Sequence, residues 1–225
     1  MPIYKLPDEP YFPDPNEATE DGLLAIGGDL SPQRLVVAYA SGIFPWFNEH
    51  DPIMWWSPDP RMVLFPERLK VSKSLKQTIR KEKFELRIDT AFTEVILNCK
   101  TVSRKDEEGT WITDEMIAAY KNLYKLGLAH SFETWLDNEL VGGLYGISLG
   151  NAFFGESMFS KVSDASKVAF YYLSQYCIKH NFSFIDCQIT NPHLQSLGAE
   201  EIPRVAFLGL LEDALKEKTK LGLWD

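Results

Sequence analysis

The stretch that decides the fold is AHSFETWLDNELVGGLYGISLGNAFFGESMFS, residues 129–160. Three runs rich in aliphatic and aromatic residues, 129–136, 140–149 and 152–159, are separated by Asp137-Asn138 and Gly150-Asn151. Asp, Asn and Gly tolerate the positive φ of tight hairpin turns, so the pattern predicts three consecutive antiparallel strands. A helix is expected next, near 164–180, with Ser163 or Asp164 at its N-cap, followed by a strand over 182–189 and a last helix near 205–218. Strands in succession, then a helix and one more strand, make an α+β layout.

Working upstream, MVLF (62–65) and FELRID (84–89) read as strands, and helices are expected near 72–82 and 91–100. Thr113, followed by Asp114 and Glu115, opens a third helix that stops at Gly127. Residues 1–60 are rich in Pro and Gly and hold one helix signal: Asp29 or Ser31 as cap, Pro32 in the first turn, RLVVAYAS, then Gly42. The expected organisation is a small N-terminal lobe, 1–60, and a larger domain, 61–225. Trp46, Trp55 and Trp56 lie among Pro45, Pro52, Pro58 and Pro60. Proline stiffens such backbone, so these indoles are either the lid of a core or a stacking platform for a flat ligand.

Composition narrows the function classes. The chain has 225 residues, 45% hydrophobic and 24% charged, which are ordinary globular values. Its three cysteines have no metal-finger spacing, which predicts a reducing compartment and no metal site. MPIYKLPDEPYF lacks a signal-peptide pattern and no run approaches the length of a membrane span, so a soluble, cytoplasmic protein without a membrane partner is expected. A net charge of −9 argues against non-specific coating of nucleic acid. The charge is uneven. Between Glu67 and Arg87 eight basic residues, Lys73, Lys76 and Arg80 among them, face three acidic ones. Such an island suits docking one end of an RNA, or is a solvated helix face.

FSFIDCQI (182–189) is the sharpest constellation. Strand alternation would set Asp186 and Gln188 on one face with Phe182 and Phe184, and Ile185, Cys187 and Ile189 on the other. A carboxylate and an amide among aromatics need hydrogen-bond partners. They are either a structural pair or reactive groups. Glu156 is likewise either an exposed strand charge or a ligand for a cation. Gly142, Gly143 and Gly146 weaken a strand unless backbone approaches something closely, which a passing substrate would satisfy.

Ten blocks in order resemble the leucyl/phenylalanyl-tRNA–protein transferase family: GGDLSP, GIFPWF and WWSPDPR, then EEGTWIT (107–113), AHSFETW (129–135), LVGGLYG (140–146), FFGESMFS (153–160), ASK (165–167), FIDCQ (184–188) and SLGAEEIPR (196–204). The resemblance implies a GNAT-like (acyltransferase-like) larger domain with a mostly antiparallel sheet. It implies transfer of Leu or Phe, and by extension Met, from aminoacyl-tRNA to proteins with N-terminal Arg or Lys, marking them for N-end rule degradation. It makes Asp186 and Gln188 the catalytic pair, with Asp186 orienting the amide of Gln188, and Glu156 a ligand for the incoming amine or cationic side chain. Trp46 and Trp111 would hold the terminal adenosine, and Leu144, Phe153, Met158, Leu173 and Cys177 the apolar side chain. Lys73, Lys76 and Arg80 would meet tRNA phosphates. No cofactor is implied, because an aminoacyl ester is already activated and no P-loop motif is present. Two other classes are weighed: an acetyl-CoA-dependent N-acyltransferase, whose phosphate loop Gln195-x-x-Gly198-x-Glu200 matches only in part, and a non-catalytic RNA- or peptide-binding module.

Overall fold

The computed structural model describes residues 2–101 and 111–224, so the first four residues of EEGTWIT lie outside the described residues. Two sheets form. The first takes β1 (Tyr4–Lys5), β2 (Leu23–Ile26), β3 (Phe44–Pro45) and β4 (Met54–Trp56) in the order β1-β2-β4-β3, with α1 (Pro32–Ala40) between β2 and β3. None of these short strands carries a period-2 pattern long enough to be predicted. Ser31 is the cap of α1, accepting from Arg34 N–H at 3.3 Å, whereas Asp29 accepts from Ser31 N–H and pairs with Arg34.

The second sheet is larger. Its elements in chain order are β5 (Arg61–Leu64), α2 (Lys73–Arg80), β6 (Glu85–Ile88), α3 (Phe92–Thr101), α4 (Asp114–Lys125), β7 (Ala129–Leu136), β8 (Glu139–Leu149), β9 (Ala152–Ser160), α5 (Ala165–Lys179), β10 (Phe184–Gln188), α6 (Pro192–Ser196), β11 (Glu200–Ile202) and α7 (Arg204–Ala214). The strand order is β11-β5-β10-β9-β8-β7-β6. Every pairing is antiparallel except that of β9 with β10. The architecture is α+β, a mixed sheet flanked by helices. β7, β8 and β9 occupy the expected runs, and Asp137 and Asn138 both take positive φ, as a primed hairpin turn requires.

Alternation along the strands feeds two cores. Val63, Tyr145, Phe154 and Phe184 face α1, α3, α4 and α7, while Met62, Leu144, Phe153 and Ile185 face α5. The first core also takes Leu24, Leu35 and Trp55, so the four-stranded sheet is packed onto the larger one through shared apolar contacts. Trp55 is fully buried, with its indole N–H on Gly27 O at 2.8 Å. It belongs to the core, not to a platform.

Several expectations need correction. Phe182 precedes β10 and packs with Ile185 in the α5 core, on the opposite side from Phe184. Of the two expected caps of α5, Asp164 takes the position, in left-handed conformation, although its carboxylate makes no cap bond and accepts from Thr78 instead. The strand glycines serve the fold itself. A Cβ on Gly142 would sit 2.5 Å from Ala165 Cβ, and one on Gly146 would sit 2.2 Å from Phe154 O. The close approach is by α5 and β9, not by substrate.

Candidate active site

The site grows from the one parallel junction in the sheet. β10 pairs with β9 through Phe184↔Ala152, Ile185↔Phe153 and Asp186↔Phe154, and there the ladder ends. Beyond it β9 runs on with Gly155 and Glu156, β10 ends at Gln188, and a cavity of about 290 Å³ lies where the strands part. On its other edge β10 pairs with β5 through Asp186↔Val63 and Gln188↔Met62, leaving Cys187 as the extra residue of a bulge. Gln188 takes φ of 64°, a left-handed conformation that costs a non-glycine residue ~1 kcal/mol or more. The bulge breaks the alternation. Gln188 therefore joins Ile185, Cys187 and Ile189 in lining the cavity, where a regular strand would have kept it beside Asp186.

Asp186 stands behind this wall, fully buried. Arg61 donates to it twice, Nε to Oδ1 at 2.9 Å and Nη2 to Oδ2 at 2.7 Å, and Nη1 donates to Gly42 O at 3.2 Å. The guanidinium lies between the rings of Phe44 and Phe207, at 4.8 and 4.5 Å. A bidentate pair of this kind offsets the desolvation of two buried charges. Asp186 Oδ1 also accepts from Gln188 backbone N–H at 2.9 Å. The carboxylate thus holds the backbone of the bulge. It does not orient the Gln188 side-chain amide, which was the expectation.

That amide belongs to Glu156. Gln188 Nε2 donates to Glu156 Oε1 across the fork at 2.9 Å. Tyr39, from α1, donates to the same oxygen at 2.7 Å, and Tyr120, from α4, donates to Oε2 at 2.8 Å. Loss of solvent pushes the Glu156 carboxyl up to about 7, against the hydrogen bonds donated to its ionised form. Both phenols are held well above their ordinary range by burial and by the nearby carboxylate, so they stay protonated.

Of the residues expected to contact substrate, Glu156, Gln188, Trp46, Trp111, Leu144, Met158 and Leu173 line the cavity. Among the described residues the lining does not include Asp186, Phe153 or Cys177. Phe153 and Cys177 are fully buried in the α5 core, Cys177 a turn beyond Leu173. Burial also raises the thiols of Cys177 and Cys187, which favours the neutral form, and Cys187 lines the cavity. Lys73, Lys76 and Arg80 are exposed on α2, spaced to share one face, away from the buried Leu75.

Arg61, Tyr39 and Tyr120 escaped the sequence. Tyr39 reads as one more apolar residue of α1, and it stands 81 positions from Tyr120 and 117 from Glu156. Asn191, His193 and Leu194, also in the lining, lie beside DCQ, and their nearness was the one available signal. The acetyl-CoA loop finds no support: Gln195 to Glu200 runs from the end of α6 into β11 and opens no helix. Among the described residues no group of three or more His, Cys, Asp or Glu could hold a metal, and no helix is long and apolar enough to cross a membrane.

The fold is α+β, and its apolar cavity ends on a part-buried carboxylate–amide pair. A family model described as leucyl/phenylalanyl-tRNA protein transferase matches residues 63–212, and its N-terminal domain matches 28–59. The leucyl/phenylalanyl-tRNA–protein transferase of Thermodesulfovibrio yellowstonii is 57% identical over 225 residues, spanning 100% of this chain and 92% of its own. That of Desulfatibacillum aliphaticivorans is 54% identical over 224 residues, spanning 100% and 96%. The chain belongs to the leucyl/phenylalanyl-tRNA–protein transferase family and is an aminoacyltransferase. Among solved structures, L-PGS from Bacillus licheniformis aligns over 75% of this chain and 53% of its own, at 10% identity and a TM-score of 0.43.

Proposed function

We propose that this protein transfers leucine or phenylalanine, and by extension methionine, from aminoacyl-tRNA to the N-terminal amine of proteins that begin with Arg or Lys, which marks them for N-end rule degradation. The observation that carries the proposal is the Gln188–Glu156 contact at the floor of an apolar cavity, in a chain of this family. The side chain of the aminoacyl group enters between Leu144, Met158 and Leu173, and Trp46 and Trp111 pack around the terminal adenosine. Lys73, Lys76 and Arg80 hold tRNA phosphates.

Gln188 is the catalytic residue. Its Nε2 is committed to Glu156, so its Oε1 is free to accept from the incoming amine and aim the lone pair at the ester carbonyl. A neutral amide is too weak a base to take the proton itself. Alignment supplies much of the rate, because the ester is already activated. Asp186 acts through Gln188: with Arg61 it holds the left-handed backbone that brings the amide into the cavity. Glu156 lies where the cation of an N-terminal Arg or Lys, or its α-ammonium, would arrive.

Residues 1–60 act as a lobe that carries Trp46 to the cavity, and 61–225 as a GNAT-like domain. Two separate sheets and the break between the matched segments 28–59 and 63–212 support that division. Three buried cysteines without metal-finger spacing suit a cytoplasmic setting. The test is to incubate purified protein with radiolabelled Leu-tRNA and an Arg-initiated peptide, without ATP or CoA. Labelled peptide is expected. Acetylation of the peptide when acetyl-CoA is supplied, with no labelled leucine transferred, would replace the proposal with a CoA-dependent acyltransferase, and binding of both substrates without transfer would leave a binding module.

A further inference from the structure

Three acidic groups meet beneath the cavity floor in a closed triangle. Tyr39 Oη is 2.7 Å from Glu156 Oε1, Tyr120 Oη is 2.8 Å from Glu156 Oε2, and the two phenol oxygens are 2.5 Å apart. Each phenol carries one proton. With Glu156 ionised, two protons serve three oxygen–oxygen contacts. If both phenols donate to the carboxylate, their own oxygens face each other at hydrogen-bond distance with no proton between them. One more proton, on Oε2, would satisfy every contact by reversing the Tyr120 bond: Oε2 would then donate to Tyr120, Tyr120 to Tyr39, and Tyr39 to Oε1, where Gln188 also donates.

We infer that Tyr39, Tyr120 and Glu156 form a proton-holding ring, and that Glu156 is the acceptor for the proton that the substrate's α-ammonium sheds before it attacks. This rests on the function proposed above. Glu156 lines the cavity and so meets the substrate, whereas Tyr39 and Tyr120 are fully buried and act through it as positioning residues. The carboxyl, raised to about 7, is the member that titrates, because both phenols are also raised, from a value already high, and stay out of reach of neutral pH. Two further groups face the ring. Asp186, on β10 and paired with Arg61 of β5, raises Glu156 further, and Tyr145 of β8 faces the two phenols.

The proton balance is complete. An α-amino group has an ordinary pKa of ~8, so it arrives mainly as ammonium. One N–H proton passes to the Glu156 carboxylate. The freed lone pair bonds to the ester carbonyl carbon, the bond from that carbon to the ribose oxygen breaks, and a second N–H proton goes to that oxygen. The proton on Glu156 leaves to water before the next turnover. Donor and acceptor lie within about one pH unit of each other, near the pH of operation, which favours rapid transfer.

The ring is testable without substrate by infrared difference spectroscopy across pH 5–9. The parent should lose a protonated-carboxyl band with a midpoint of about 7, and Glu156→Gln should lack it. Tyr120→Phe removes two hydrogen bonds from the protonated ring and one from the ionised form. Its midpoint, and that of Tyr39→Phe, should therefore move to the acid side by about one pH unit, a roughly tenfold loss of proton affinity. If the phenols are simple donors to a carboxylate, the midpoint moves to the alkaline side instead. That result, or no movement in either variant, overturns the ring. The acid limb of kcat/KM for an Arg-initiated peptide should share the parent's midpoint and follow it in both phenylalanine variants. A limb that ignores the infrared midpoint overturns the acceptor role. Absence of transfer at every pH in the parent refutes the proposed function and leaves the infrared titration to judge the ring alone.

Discussion

Replacing Arg61 by methionine would leave the Asp186 carboxylate buried with no counter-charge. Arg61 is 1% exposed, gives Asp186 two hydrogen bonds and Gly42 a third, and fills the gap between Phe44 and Phe207. Removing one partner of such a pair costs ~3–5 kcal/mol, because the other is left uncompensated. Against a typical total of ~5–15 kcal/mol that is a large fraction of the stability. Asp186→Leu alone should cost a similar amount by stranding the guanidinium. The double variant, with an apolar pair of comparable volume, should lose far less than the sum, since neither charge remains to be desolvated. Urea unfolding of the four proteins gives the coupling directly. Transfer assays then separate stability from positioning. The double variant should remain slow in kcat even where its fold is recovered, because Gln188 N–H has lost its acceptor and the left-handed residue is free to relax. Additive losses in the double variant, or a cost below ~1 kcal/mol for Arg61→Met, would show that the pair is not the clamp of the bulge.

Trp46→Ala and Trp111→Ala should raise KM for aminoacyl-tRNA more than for peptide, with ~1–3 kcal/mol lost in kcat/KM; normal kinetics with a lowered melting temperature would assign either indole to packing alone. Changing Lys73, Lys76 and Arg80 together to alanine should reduce the slope of log affinity against log salt by ~2–3 in a filter-binding series, and an unchanged slope would return these charges to a solvated face. Glu156 binds its proton more tightly folded, at about 7, than at the ordinary 4.5, so its stabilising protonation is complete below about 4.5 and lost as pH rises through about 7. Relative to Glu156→Gln, the parent should therefore lose up to ~3 kcal/mol between pH 4.5 and 8; parallel urea midpoints across that range would contradict the raised value.

Much of the larger sheet was legible in the chain. The three-strand run from 129 to 160 carries its own turn chemistry at Asp137-Asn138 and Gly150-Asn151, the second turn being tied down further by Ala214 and Thr219. Thr113 and Ser31 cap their helices through bonds that span three residues, so local spacing sufficed. The four-stranded sheet did not announce itself. Strands of two to four residues, one of them ending in proline, carry too little periodicity, and their pairing is decided by what packs over Trp55.

The candidate site divides along the same line. Local sequence determined that a carboxylate and an amide share the short strand 184–188 and that Glu156 sits on the strand 152–159, and ordered motifs were enough to carry the family. Periodicity placed Asp186 and Gln188 side by side on one face. The tertiary structure separated them, because pairing with β5 at Met62 and Val63 forces a bulge that no property of β10 alone requires. It likewise brought Arg61 to Asp186 across 125 residues, and Tyr39 and Tyr120 to Glu156 across 117 and 36. Alternation and capping act over a few residues and are written in the order of the chain. The desolvation that lifts a carboxyl, and the partners that offset a buried charge, come from elements joined only by packing, so their identity exists only once the sheet and its helices have closed.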